Sequence, residues 1–266
     1  IMINWRAMYN NNYLYNYLIL NFKNIFGPAS SRKIITIDCD DWGGIRMPPG
    51  NLSYKLGMEN LPLTKTRYRF DTLESRKDLE MLFDILCSVK DNKGNNAVIT
   101  AVTNVANPDF IRIKESGYSN YYYEKFTDTL RRYYPDSDVF TLWKQGINSG
   151  IFIPELHGRE HISVFFWLKR LREGDKNLIK AFENEFVHLK VDGIPEPVSE
   201  FRAAFYFNDN DQKLFLVEAI KDGIKLFKEI FGFSPRIFVP SNNLFHPDFY
   251  RIVAEEKVKF LYSSYR

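Results

Sequence analysis

Thr36-Ile37-Asp38-Cys39-Asp40-Asp41-Trp42-Gly43 sets three carboxylates at the end of a β-branched run. The run covers residues 33–38, with Ile34, Ile35 and Ile37, and is a compact strand signal. Asp-Cys-Asp-Asp-Trp-Gly-Gly and then Met47-Pro48-Pro49-Gly50 read as the loop after it. Like charges this close resist joint ionisation, and a bound cation relieves the repulsion. The stretch therefore reads as a strand that opens onto a metal or catalytic loop. The plainer alternative is a loop-start Asp that caps a turn. Cys39 could be a ligand, but its ordinary reading is a small buried strand residue.

Four more short apolar runs lie downstream, at 97–103, 151–153, 237–239 and 258–262. Residues 104–110 read as the exit loop of the second. Stretches with helical spacing separate the runs. The first is 75–90, with Leu79, Leu82, Phe83 and Leu86 on one face; 121–133, 138–146, 162–187, 212–231 and 247–257 follow. Strands alternating with helices imply a parallel sheet or a barrel, in which chemistry collects at the carboxyl ends of the strands.

Three polar segments fall at such ends: the acidic stretch, Glu155-Leu156-His157-Gly158-Arg159-Glu160-His161, and Pro240-Ser241-Asn242-Asn243. His157 and His161 share a face if a helix begins near the first of them, and Gly158 would let the backbone turn sharply. Adjacent carboxylates and two imidazoles four positions apart are the O/N donor set of a hydrolytic metal centre. His188 and His246 read as structural. Asp136 and Asp138 belong to an ordinary turn. Asn208-Asp209-Asn210-Asp211 lacks the Gly and distal Glu of a calcium loop and reads as a helix cap.

Composition narrows the function classes. The net charge of +3 comes from interspersed signs with no dense Lys/Arg tract, which is no nucleic-acid footprint. Two cysteines imply no disulfide framework. No segment approaches the roughly 20 apolar residues of a membrane span. No leader is visible, so the expected location is cytoplasmic. Residues 5–26, with Leu14, Leu18 and Phe22 at helical spacing, read as a helix. Aromatics make up 16% of the chain, an excess that suits sugar-binding clefts as well as cores.

Asp40-Asp41 after a β-run, followed by His157-x-x-x-His161, resembles the polysaccharide deacetylase family, carbohydrate esterase family 4, in a divergent bacterial form. The resemblance covers about residue 33 to the end. It implies a distorted (β/α) barrel with fewer than eight repeats at 31–266; the helical spacing at 5–26 makes residues 1–30 an N-terminal helical extension. The resemblance further implies a divalent metal, usually zinc, held by Asp41, His157 and His161, with Asp40 as general base. The activity implied is removal of acetyl groups from a carbohydrate. Trp42, Arg159 and Asn243, with Arg46, stand beside these motifs and are candidates to line the substrate cleft; Trp42 reads equally well as packing, and Arg159 as an ion-pair partner.

The chain departs from the family pattern in three places. Asp38-Cys39-Asp40 offers a second way to supply base and ligand, which leaves the choice between Asp38 and Asp40 open. The third motif carries only Arg236, upstream of Pro240. No Leu-x-x-His follows the last strand, so the expectation is a domain cut short at its C-terminal end, a substitute proton donor, or loss of activity. Two alternatives therefore stand beside a deacetylase: an amide hydrolase acting on a non-carbohydrate C–N bond, and an inactive barrel that binds glycan or protein.

Overall fold

The structure is a computed structural model that describes residues 33–50, 71–194 and 196–262, together with Tyr15, Leu18, Ile19, Phe22 and Ser31. The chain divides into two compact units, Ile1–Thr36 and Ile37–Arg266. In the first, the four described residues between Tyr15 and Phe22 are helical. The rest of the helix expected at 5–26 lies outside the described residues.

The second unit is mixed α/β. Its main sheet has five strands: β1 (Asp38–Trp42), β2 (Ile99–Asn104), β5 (Phe152–Gly158), β6 (Ile237–Phe238) and β7 (Phe260–Leu261). They lie side by side in the order of the chain, and every pairing is parallel. Five apolar runs anticipate these five strands. Between β2 and β5, a second, antiparallel pair forms from β3 (Ala106–Pro108) and β4 (Tyr123–Lys125). It replaces part of the loop expected at 104–110 and the start of the helix expected at 121–133.

Eight α-helices are present among the described residues of this unit: α1 (Arg76–Ser88), α2 (Phe110–Glu115), α3 (Phe126–Tyr133), α4 (Val139–Asn148), α5 (Val164–Arg172), α6 (Lys176–Glu183), α7 (Asn210–Phe231) and α8 (Tyr250–Glu255). Local chemistry sets their ends. Ser75 caps α1 in a reciprocal capping box with Asp78. Asp209 accepts from the Gln212 amide at 2.9 Å and starts α7, and Gly232 at φ 80° ends it. The helix expected at 162–187 is two helices, α5 and α6, because Gly174 at φ 79° turns the chain between them and Asp175 caps the second.

The helices pack their apolar faces on the sheet in two buried clusters. One centres on Trp143, Phe152 and Trp167, the other on Phe227, Phe238 and Phe249. Strand β5 feeds both, with Phe152 in the first and Leu156 in the second. It lies between β2 and β6 and underneath α4 and α7, the most enclosed position in the sheet.

The first strand differs from expectation. β1 begins at Asp38, not Lys33, and the acidic residues read as a loop form the strand itself. Ile34 and Ile35 precede it and are exposed, because pairing with β2 starts only where Asp38 faces Thr100. β1 is an edge strand, so Cys39 is exposed on it rather than buried. No helix among the described residues is long and apolar enough to cross a membrane.

Candidate metal centre

Asp41 reaches the site through an irregularity in β1. Cys39 faces Ala101 and Trp42 faces Thr103, so three steps along β1 match two along β2. The extra residue is a bulge, which re-aims the side chains on either side of it. Asp41 carries the strain, at φ 70°, a conformation that Asp tolerates better than most residues. Gly43 follows at φ 71°, and a Cβ there would lie 2.3 Å from the Asn104 carbonyl oxygen. Only glycine lets the chain leave β1 so close to the end of β2.

His157 comes from the buried end of β5, and His161 from the turn after it. The helical i, i+4 geometry expected for this pair does not occur, because residues 157–158 are still strand and α5 starts only at Val164. Gly158 at φ 148° instead swings the chain round, and the two imidazole rings come to 5.1 Å between centroids.

One carboxylate and two imidazoles converge here. Asp41 Oδ1 lies 3.3 Å from His157 Nε2 and 3.0 Å from His161 Nε2. A donor atom from each of the three residues falls within 4.8 Å of the others. The other carboxylate oxygen, Oδ2, accepts from Arg46 Nη2 at 2.5 Å. The Nδ1 of His157 donates to the carbonyl oxygen of Val239 at 2.6 Å, just beyond β6. That bond fixes the ring, and in the neutral tautomer it leaves a lone pair on Nε2 facing Oδ1. Both atoms are buried and have no hydrogen-bond partner.

Two acceptors facing each other at 3.3 Å need a cation or a proton between them. Two ligands about 2.0–2.1 Å from a tetrahedral zinc stand about 3.3 Å apart, close to the separations seen here. The donor set therefore fits a divalent metal, and the Val239 carbonyl supplies the outer hydrogen bond that orients a ligating histidine.

Electrostatics favour the same reading. Burial alone would raise the Asp41 pKa, but its contacts with His157 and His161, and the charges of His161 and Arg46, hold it well below the usual carboxylate range. Burial outweighs the pull of Asp41 and lowers the pKa of His161. His188 stands edge-on to His161 at 5.5 Å. Burial, and then the charge of Arg46, lower its pKa well below the ordinary value, and its Nδ1 bonds the Glu200 carbonyl at 3.0 Å.

The structure places the remaining candidates as follows. Asp40 and Asp38 are exposed on β1, outside the three-residue cluster. Trp42 packs edge-on against Phe152 at 4.9 Å and Trp143 at 5.8 Å. Arg159 is buried between Glu160 and Asp222. Asn243 ends the short turn Ser241–Asn243, four residues past Val239, at φ 54°. Sequence reasoning missed the Val239 carbonyl, which no side-chain pattern reveals. It also set aside His188, for which the only signal was its membership of a four-histidine set.

No protein-family model matches the chain, and no curated protein matches it. Among solved structures, that of IcaB from Ammonifex degensii is similar over 87% of this chain and 92% of its own, at 10% identity and a TM-score of 0.32. At that score the likeness carries no inference.

Proposed function

We propose that this chain is a metal-dependent hydrolase that removes acetyl groups from a carbohydrate, by N- or O-deacetylation, on a (β/α) barrel of which the five parallel strands are an arc. The observation that carries the reading is the convergence of Asp41 Oδ1 with the Nε2 atoms of His157 and His161 at 3.3 and 3.0 Å. The motif resemblance at Asp40-Asp41 and His157-x-x-x-His161 supplies the reaction class.

A divalent metal, most simply zinc, would be held by Asp41, His157 and His161; when bound it supplies Lewis acidity and lowers the pKa of water toward about 7. Arg46 fixes the second Asp41 oxygen, so the first stays aimed at the imidazoles. The Val239 carbonyl holds the His157 ring in one orientation. Asp40, exposed beside Asp41, is the base that takes the proton of the attacking water; Asp38, two positions earlier, is the other candidate. Asn243, on the turn that follows Val239, is the substrate contact in this reading.

The test is metal stoichiometry after dialysis against trace zinc, for the natural chain and His157→Ala, followed by acetate release from acetylated oligosaccharides. One ion per chain, lost in the variant, with chelator-sensitive acetate release, is the expected result. A bound ion without acetate release would move the reading to another amide bond. No bound ion in the natural chain would sink the hydrolase altogether.

A further inference from the structure

Arg159 lies between the two metal-site histidines in sequence and is almost fully buried. All three nitrogens of its guanidinium are engaged. Nε and Nη2 reach the two oxygens of Glu160 at 2.6 and 3.1 Å, and Nη1 reaches Asp222 Oδ2 on α7 at 3.1 Å. The Tyr123 hydroxyl donates to that same Asp222 oxygen at 2.6 Å. Three rings surround the cation, Tyr123 at 4.7 Å, Phe215 at 5.4 Å and Tyr121 at 5.7 Å.

The backbone here is clamped as tightly as the side chain. Gly223 of α7 lies against it so closely that a Cβ would sit 3.0 Å from the Arg159 amide nitrogen. On the other side, the carbonyls of Gly158 and Arg159 accept from the Val105 and Ala106 amides at 3.2 and 2.7 Å. A surface depression lies over the cluster, lined by Arg159, Lys221 and Lys225 against Glu218, Asp222 and Glu256. Three charges of each sign select for no charged ligand. An arginine with both edges on carboxylates has little left to offer a substrate.

We infer that Arg159, Glu160 and Asp222 form a clasp, buried at Arg159 and Glu160 and partly exposed at Asp222, that fixes the turn from His157 to His161. Arg159 is thus a positioning residue for the metal ligands and not a substrate contact. The role in metal binding rests on the hydrolase reading above; the role in holding the imidazoles does not. Outer-shell partners bonded directly to a ligand change metal affinity by roughly 10–100-fold when lost, and a clasp that holds the turn is expected at the low end of that range.

The experiment uses the full chain with Arg159→Met, Arg159→Lys and Asp222→Asn. Asp222→Asn keeps the pair with Glu160 and serves if Arg159→Met fails to fold. Two quantities are read: the imidazole ¹⁵N resonances of His157 and His161 in metal-free protein, and zinc affinity by chelator competition. The clasp predicts shifted resonances for both histidines and zinc affinity about tenfold weaker in Asp222→Asn, with partial recovery in Arg159→Lys relative to Arg159→Met. Unchanged resonances and zinc affinity within twofold of the natural chain, in a folded variant, overturn it. If the natural chain binds no zinc but the resonances still move, the metal reading fails and the clasp stands.

Discussion

His157 donates from Nδ1 to the carbonyl oxygen of Val239 at 2.6 Å, so the residue just beyond the neighbouring strand β6 sets the orientation of a side chain carried by β5. The bond exists because β6 is held in register. Glu155 Oε2 accepts from the Arg236 and Ile237 amides at 2.7 and 2.8 Å, and the Val239 amide donates to Leu156 at 2.9 Å. The imidazole is thus oriented before any ligand arrives.

Zinc should stabilise the folded chain through this site. At a hundredfold excess over its Kd, one bound ion contributes about 2.7 kcal/mol, a rise in Tm of roughly 5–10 °C. Differential scanning calorimetry should find that rise in the natural chain and none in His157→Ala or His161→Ala. An equal rise in all three proteins would place the ion elsewhere.

Asn107 should matter more than its distance from the metal ligands in sequence suggests. It is buried on β3, accepts from the Ile45 amide at 2.9 Å and donates to the Gly43 carbonyl at 2.9 Å. Those bonds pin the loop that links Asp41 to Arg46. Asn107→Ala leaves buried backbone groups unpaired, at a cost of about 2–3 kcal/mol. Urea unfolding measures it, and a loss below about 0.5 kcal/mol, the scale of an ordinary surface change, would contradict the pin.

Two glycines with positive φ should respond very differently to alanine. Gly94 at φ 82° has open space around its absent Cβ, so Gly94→Ala suffers only the backbone penalty, about 1 kcal/mol. At Gly43, φ 71°, the added Cβ would also meet the Asn104 carbonyl oxygen at 2.3 Å. Gly43→Ala should cost at least about 3 kcal/mol, because backbone on both sides must move. Equal losses of stability would show that the approach of β1 to β2 is soft.

Glu74 gives a pH signature. Burial raises its pKa to about 7, although the carboxylate accepts from Trp143 Nε1 at 2.6 Å. Its ordinary value is 4.5, so between the two the folded chain holds a proton that the unfolded chain has released. Stability from this group is therefore full below about pH 4.5, falls as pH rises, and is lost above about pH 7, by roughly 3 kcal/mol in all. Glu74→Gln should remove that slope and gain on the natural chain between pH 5 and pH 8 in thermal melts. Parallel pH profiles for the two proteins would refute the assignment.

Much of this architecture is legible in the chain. Five short apolar runs between helical periods report a parallel α/β sheet, because side chains buried on both faces leave near-continuous hydrophobic stretches. Asp209 before α7 and Ser75 before α1 announce their helices through cap chemistry that is local. The donor types at Asp41, His157 and His161 were equally visible, since no other segment concentrates them at strand ends.

Tertiary structure decided the rest, for reasons that no local window contains. The start of β1 depends on where β2 offers a partner, so Ile34 and Ile35 stay outside despite their propensity. The bulge that aims Asp41 is a mismatch of register between two strands. His157 and His161 meet by way of the φ of Gly158 and not by helical spacing. The orienting acceptor is a backbone carbonyl, and every residue has one, so only the fold could say that Val239 would provide it. Arg159 read either as a cleft residue or as an ion-pair partner, and only the packing of α7, which brings Asp222 against it from 63 residues downstream, decided for the pair.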